Sequence, residues 1–256
     1  MIDALRYEAV RVRTIGSTYW TIVVGLSLCA LIALGFGIDS RGTDLPPDLS
    51  SLLLTGGGES LPFPVLGMTI SLIGILATGH EYRHRLIYPT LTAIPQRSAL
   101  LAAKVVVVAA LAAATALLSV ALSWVVGSLG YGQPLPLAAA PVPTVLVGYL
   151  LLIIGYAVLG VALGQLTRAI PAAVVIVLLC PLVVEPVLST LAGLDVLSWM
   201  QRVVPYLPFG AGMRLLTAGL YGGADALGRW QGGAVFAGFV AVLLAISWVL
   251  FERRDA

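Results

Sequence analysis

Six apolar runs, each close to the length that crosses a bilayer, constrain this chain more than any other feature. They are Tyr19–Ile38, Phe63–Thr78, Leu101–Leu129, Val142–Leu166, Ile170–Leu191 and Gly232–Phe251. A hydrocarbon core of about 30 Å takes about 20 apolar residues per helix. Lipid offers the backbone no hydrogen-bond partners, so each run predicts a helix. The second run is short unless Leu61-Pro62 joins it. The third is long, which predicts tilt or extension beyond the membrane. The chain is 59% apolar and 10% charged. A soluble domain has roughly 45–50% and about 25%, so a soluble fold is excluded. A net charge of +2 gives no nucleic-acid footprint. Cys29 and Cys180 lie inside apolar runs and read as small buried side chains. Two cysteines supply neither a disulfide framework nor a cysteine metal cluster. The first run starts near residue 19 and is span-length, which is not the pattern of a signal peptide.

Basic residues predict the orientation. With the N-terminus inside, ten fall in inner segments: Arg6, Arg11, Arg13, Arg83, Arg85, Arg97, Lys104, Arg168, Arg253 and Arg254. Four fall outside: Arg41, Arg202, Arg214 and Arg229. Asp39, Asp44, Asp48 and Glu59 lie in the first outer loop. Both termini are therefore expected inside, in one domain covering residues 1–256.

The connections differ in character. The first outer loop, 39–61, is rich in Gly and Pro, and the inner turn after the fourth span is only "LTRA". The last outer segment, 192–230, is long yet apolar. It predicts short helices dipping into the outer leaflet, ended by Pro205, Pro208 and Gly222-Gly223. Ahead of the first span, Ile2, Leu5, Ala9 and Val12 fall at helical spacing, with Arg6 and Arg13 off that stripe. This predicts an amphipathic helix within 1–18 on the inner membrane surface; a simple basic anchor is the alternative.

The densest charge cluster is "GHEYRHR", 79–85. His80-Glu81-Tyr82-Arg83-His84 fits H-E-x-x-H, the helical zinc motif of metalloproteases, with Glu81 as general base. Three objections stand against it. Arg83 and Arg85 crowd the site, and a cation about 6 Å from Zn²⁺ costs several kcal/mol even at an effective dielectric of ~20. A catalytic zinc needs a third protein ligand, and the chain has only these two histidines. Asp195 is the candidate, but the topology puts it at the outer face, about 30 Å away. The other reading is a basic cluster where the second span leaves the membrane. Beyond it, Leu86, Ile87, Leu91 and Ile94 face the membrane or a protein partner, with Pro95 after them and Arg97 and Lys104 anchoring the third span. Interfacial anchoring alone also accounts for it.

"EYRHRLIYPTLTAIPQRSALLAAK" (81–104) resembles the loop E-Y-R-H-G-T-I-R-x-T-L-x-x-x-P-x-R-x-x-L-x-x-A-K of permease subunits of ATP-binding-cassette transporters of the type-2, exporter-like class. "RVRTIGSTYW" (11–20) is similar to that family's basic entry into the first span. "GVALGQLTRAIPAA" (160–173), "YLPFGAG" (206–212), "RWQG" (229–232) and the terminal "ERRDA" follow in the family's order. Leu86 stands where the loop commonly has Gly, Tyr88 where it has Arg, and Gly16 where the entry has Arg.

The resemblance implies an all-α membrane protein. Its parts are an N-terminal elbow helix, six transmembrane helices, a cytoplasmic coupling helix between spans 2 and 3 in 81–97, and short re-entrant helices before span 6. It implies a non-enzymatic permease that docks an ATPase subunit through Glu81, Tyr82, Arg83, His84, Arg85, Leu91, Pro95 and Arg97. ATP and Mg belong to that ATPase and no cofactor to this chain; "TGGGES" (55–60) lacks the lysine of a phosphate loop. It further implies a second permease copy or paralogue, the bacterial inner membrane, and export of an amphipathic or hydrophobic compound. Glu185 is the intramembrane acid expected to face the bundle, a cavity or the partner. It is either a cation-sensing gate position or a structural carboxylate capping the re-entrant segment. Tyr149 and Tyr156 share a face of the fourth span and are further path candidates, and Gly160 and Gly164 below them predict close helix packing. The alternatives are the zinc protease, and an ATP-independent secondary transporter or channel, which would call for more intramembrane charge or internal repeats.

Overall fold

The computed structural model describes residues 2–56, 64–83, 96–217 and 227–253, and every regular element among them is helical. Helix α1 (Ile2–Thr14) leads through Ile15 into α2 (Gly16–Asp39). A short α3 (Pro47–Leu54) follows, then α4 (Val65–Arg83), α5 (Arg97–Tyr131) and α6 (Val142–Thr167). Next comes α7 (Ile170–Leu179), a π turn (Cys180–Val184) and α8 (Glu185–Ala192), together one apolar rod. Two 3₁₀ turns, Asp195–Arg202 and Val204–Tyr206, lead to α9 (Pro208–Thr217) and the final α10 (Arg229–Arg253).

Five helices are long and apolar enough to cross a membrane: α2, α5, α6, the α7–α8 rod and α10. Their outward faces carry Val23, Leu31, Leu117, Leu151, Val187 and Val242, all exposed. Such a surface suits lipid and not water. This is the bundle of a multi-span membrane protein. Helix α6 is its axis: 61% of its apolar window is buried, against 22–28% for the other four. Its most extensive partner is α4, which lies in the middle and ends in the polar His80-Glu81-Tyr82-Arg83.

Close approach explains the α4–α6 pairing. A Cβ on Gly74 would collide with the Ala157 carbonyl oxygen, and one on Gly160 with the Ser71 carbonyl oxygen. In lipid, helices gain little from apolar burial, so backbone proximity and dispersion hold them. Gly37 of α2 meets Gly127 and Gly130 of α5 in the same way.

Several boundaries differ from those read in sequence. Helix α4 continues through Gly79 to Arg83, so the charge cluster begins inside a helix. The buried face of α1 is Ala4, Glu8 and Val12, while Ile2 is 68% exposed. The stripe Ile2, Leu5, Ala9, Val12 was therefore rotated, because Glu8 is drawn inward by charged partners. The first connecting loop contains α3, which Pro47 opens at its N-terminus with Asp48 in its first turn. Pro208 likewise starts α9 instead of ending a helix, and Pro205 lies within a 3₁₀ turn. Gly222-Gly223 lies outside the described residues.

Candidate functional site

Helix ends α1, α4, α5, α6 and α10 meet at one end of the bundle, where most of its charge is gathered. Glu8, Glu81 and Lys104 come from three helices, and each is at most 2% exposed. Lys104 Nζ donates to Glu8 Oε1 and Glu81 Oε1, both at 2.6 Å, and to the Ala77 carbonyl at 3.4 Å. Arg11 Nη1 donates to Glu81 Oε1 at 2.6 Å and to Glu8 Oε2 at 3.3 Å. Two acids and two bases balance. Burying four charges is tolerable only because each meets an opposite one. The match is incomplete: Glu81 Oε2 and Arg11 Nη2 are buried without a hydrogen-bond partner among the described residues.

A second polar group sits beside it. Gln165 Nε2 of α6 donates to Tyr82 Oη at 2.6 Å, and the Arg168 guanidinium lies 5.0 Å from the Tyr82 ring centre. Arg168 takes φ 52°, the left-handed conformation that ends α6. Arg97 Nη1 donates to the Phe251 carbonyl of α10 at 3.1 Å and stands 6.0 Å from that residue's ring. Tyr82 and Arg97, which bracket residues 84–95, are thus tied to α6 and α10. Arg83 is exposed at the end of α4. His84, Arg85, Leu91 and Pro95 lie outside the described residues.

Sequence reading singled out Glu81, Tyr82 and Arg97 but missed Glu8, Arg11, Gln165 and Arg168 as their partners. It read Lys104 as an anchor at the membrane entry. Lys104 instead lies two turns inside α5, packed between α1 and α4, because Glu8 and Glu81 hold it there. The available signal was an acid, Glu8, at i+4 from Ala4 and i−4 from Val12 on the buried stripe.

The zinc arrangement gains no support here. Among the described residues, no group of three His, Cys, Asp or Glu is placed to hold a metal. Glu81, the base that H-E-x-x-H requires, is enclosed by Lys104 and Arg11.

Toward the opposite end, Glu185 is 8% exposed and accepts from the backbone N–H of Phe209 at 2.9 Å and Gly210 at 2.6 Å. It satisfies two of the free donors at the start of α9. The π turn just before it carries Pro181. Tyr156 is buried against Phe209 and Phe236, with ring centres 5.9 and 5.3 Å away. Its hydroxyl has no partner among the described residues. Tyr149 is also buried, and its hydroxyl shares a 2.9 Å hydrogen bond with Ser119 Oγ. Glu185 and Tyr156 thus both flank Phe209 of α9. Tyr149 is turned to α5.

Compared with models of known protein families and with curated proteins, the chain matches none.

Proposed function

We propose that the chain is the permease subunit of an ATP-binding-cassette exporter, with six spans, α4 among them, and both termini cytoplasmic. The observation that carries the proposal is the buried cluster Glu8–Arg11–Glu81–Lys104. It fastens α1, the end of α4 and the start of α5 into one unit. That unit includes Glu81 and so reaches into 81–97, the segment that in sequence resembles the family's coupling loop. A push on this loop reaches α4 and α5 directly, and α4 is packed backbone to backbone on α6. The work comes from an ATPase partner whose states bind ATP differently. Two permease subunits enclose the path, and Glu185 with the α9 segment forms its outer gate. The cargo is an amphipathic or hydrophobic compound.

Co-purification tests the reading. The chain is isolated from its native membrane and retained subunits are identified. A stoichiometric ATPase, whose hydrolysis is stimulated by the permease and uncoupled by Arg83→Glu, supports it. A chain that moves solutes in vesicles with no ATPase present refutes it in favour of a secondary transporter.

A further inference from the structure

The outward face of α1 is not explained by the buried cluster. Opposite Ala4, Glu8 and Val12, it presents Arg6 and Arg13 seven residues apart on one stripe, both exposed. Apolar Ile2 (68% exposed) and Val10 (61%) lie between and beside them. A solvated face would not carry these apolar groups, and a buried face would not carry two arginines. A shallow notch of about 480 Å³ opens here, lined by Arg6, Tyr7, Val10, Arg11 and Thr14. Tyr19 and Trp20, at the start of α2, are 56% and 72% exposed. Aromatic residues at the end of an apolar span mark the headgroup level of a bilayer. The C-terminal end of α1, which leads through Ile15 into α2, therefore lies near that level. Glu8 is turned away into its ion pairs, and Asp3 in the first turn is the one acid on this side of the helix.

We propose that this outward face of α1, with the notch along its edge, binds the headgroup of an anionic phospholipid, Arg6 and Arg13 on the phosphate and Val10 and Ile2 against the upper acyl chain. The site holds α1 in the interfacial plane while its other face carries the ion cluster. The proposal rests on the membrane-spanning architecture and is independent of the ATPase reading.

The test uses the full chain in a mild non-ionic detergent. Phosphatidylglycerol, phosphatidylcholine or inorganic phosphate is titrated in, and bound molecules are counted by native mass spectrometry. Each arginine near an anionic lipid surface is worth about a factor of five. The expected result is preference for phosphatidylglycerol over phosphatidylcholine, lost about 25-fold in Arg6→Gln/Arg13→Gln and largely kept in Arg6→Lys/Arg13→Lys. Both side chains are exposed, so the unfolding midpoint should stay unchanged. Equal retention of the two lipids overturns the proposal, as does a glutamine variant that still selects phosphatidylglycerol. Displacement of the lipid by inorganic phosphate points to a free anion and overturns it too. Loss of a bound protein subunit in the variant, with lipid selectivity intact, assigns the face to a protein and also overturns it.

Discussion

Removing Lys104 is the sharpest perturbation this structure allows. In Lys104→Met, Glu8 and Glu81 remain buried with only Arg11 between them, so the cluster changes from neutral to one net negative charge. Each 2.6 Å contact of Lys104 carries several kcal/mol of attraction at an effective dielectric of ~20, and most of it offsets desolvation. Breaking such a cluster from one side costs about 3–5 kcal/mol, because the stranded charge stays buried. Glu81→Gln leaves one net positive charge and should cost a comparable amount. The double variant is neutral again, with Glu8 facing Arg11. It should lose less than the sum of the singles by about 1–3 kcal/mol. The assay is reversible unfolding in mixed micelles of mild detergent and dodecyl sulfate, followed by tryptophan fluorescence. Additivity within about 0.5 kcal/mol would refute the claim that these charges act as one unit. A fully apolar replacement of all four groups adds a second reading. Well-packed apolar groups can equal or exceed a buried ion pair in stability. Such a variant should therefore fold, and if the cluster is part of the coupling path it should hydrolyse ATP with its partner without moving cargo.

Ser119→Ala takes away one partner of the buried Tyr149 hydroxyl but leaves Cys29 beside it, so it should cost about 0.5–1.5 kcal/mol, read in the same unfolding assay. Gly160→Val drives a side chain into the Ser71 carbonyl and should destabilise by at least 1–3 kcal/mol, while Gly16→Ala, with open space around it, should change stability by less than about 0.5 kcal/mol. Glu185→Ala leaves two α9 amides unsatisfied and should cost about 2 kcal/mol or more, with Glu185→Gln recovering about half. If Glu185 belongs to the gate, Glu185→Gln will also alter transport rate or cargo range in vesicles. Arg83→Glu changes an exposed charge, so it should leave the unfolding midpoint in place; if the chain docks an ATPase as proposed, the variant will also uncouple ATP hydrolysis from transport.

The helices were legible because apolar runs of membrane-crossing length permit little else. The runs Val142–Leu166 and Ile170–Leu191 differ from α6 and the α7–α8 rod by only one residue at the C-terminal end. The π turn within that rod left no periodic signal, since apolar residues fill every position of Cys180–Val184. Helix α3 was hidden by the prolines and glycines around it, although Pro47 and Asp48 form a start signal. The ion cluster was illegible as a cluster. Its members are separated by up to 96 positions, and each alone fits a solvated or anchoring charge. Only the α1 face held a clue: Glu8 is spaced with Ala4 and Val12, where an apolar residue belongs unless a cation waits opposite. Glu185, by contrast, was read as a candidate cap of the segment before the last span, and its carboxylate does accept from the Phe209 and Gly210 amides at the start of α9.

The two ends of the bundle use their few charges in opposite ways. At the α1 end, charges pair with one another across helices and tie α1, α4 and α5 together. Near the other end, Glu185 pairs with the backbone of α9, a ten-residue helix reached from the α7–α8 rod through two 3₁₀ turns. Short 3₁₀ segments and π turns mark places where helical hydrogen bonding is easily rearranged. The two ends are connected by α4 and α6, whose backbones touch at Gly74 and Gly160. Between the α1 end and the Tyr156–Phe209–Phe236 contact, these two glycines set α4 and α6 backbone against backbone. If transport is driven from the α1 end, Gly74→Ala and Gly160→Ala should impair it more than their loss of folding stability accounts for, whereas Ser119→Ala should lower stability without that excess.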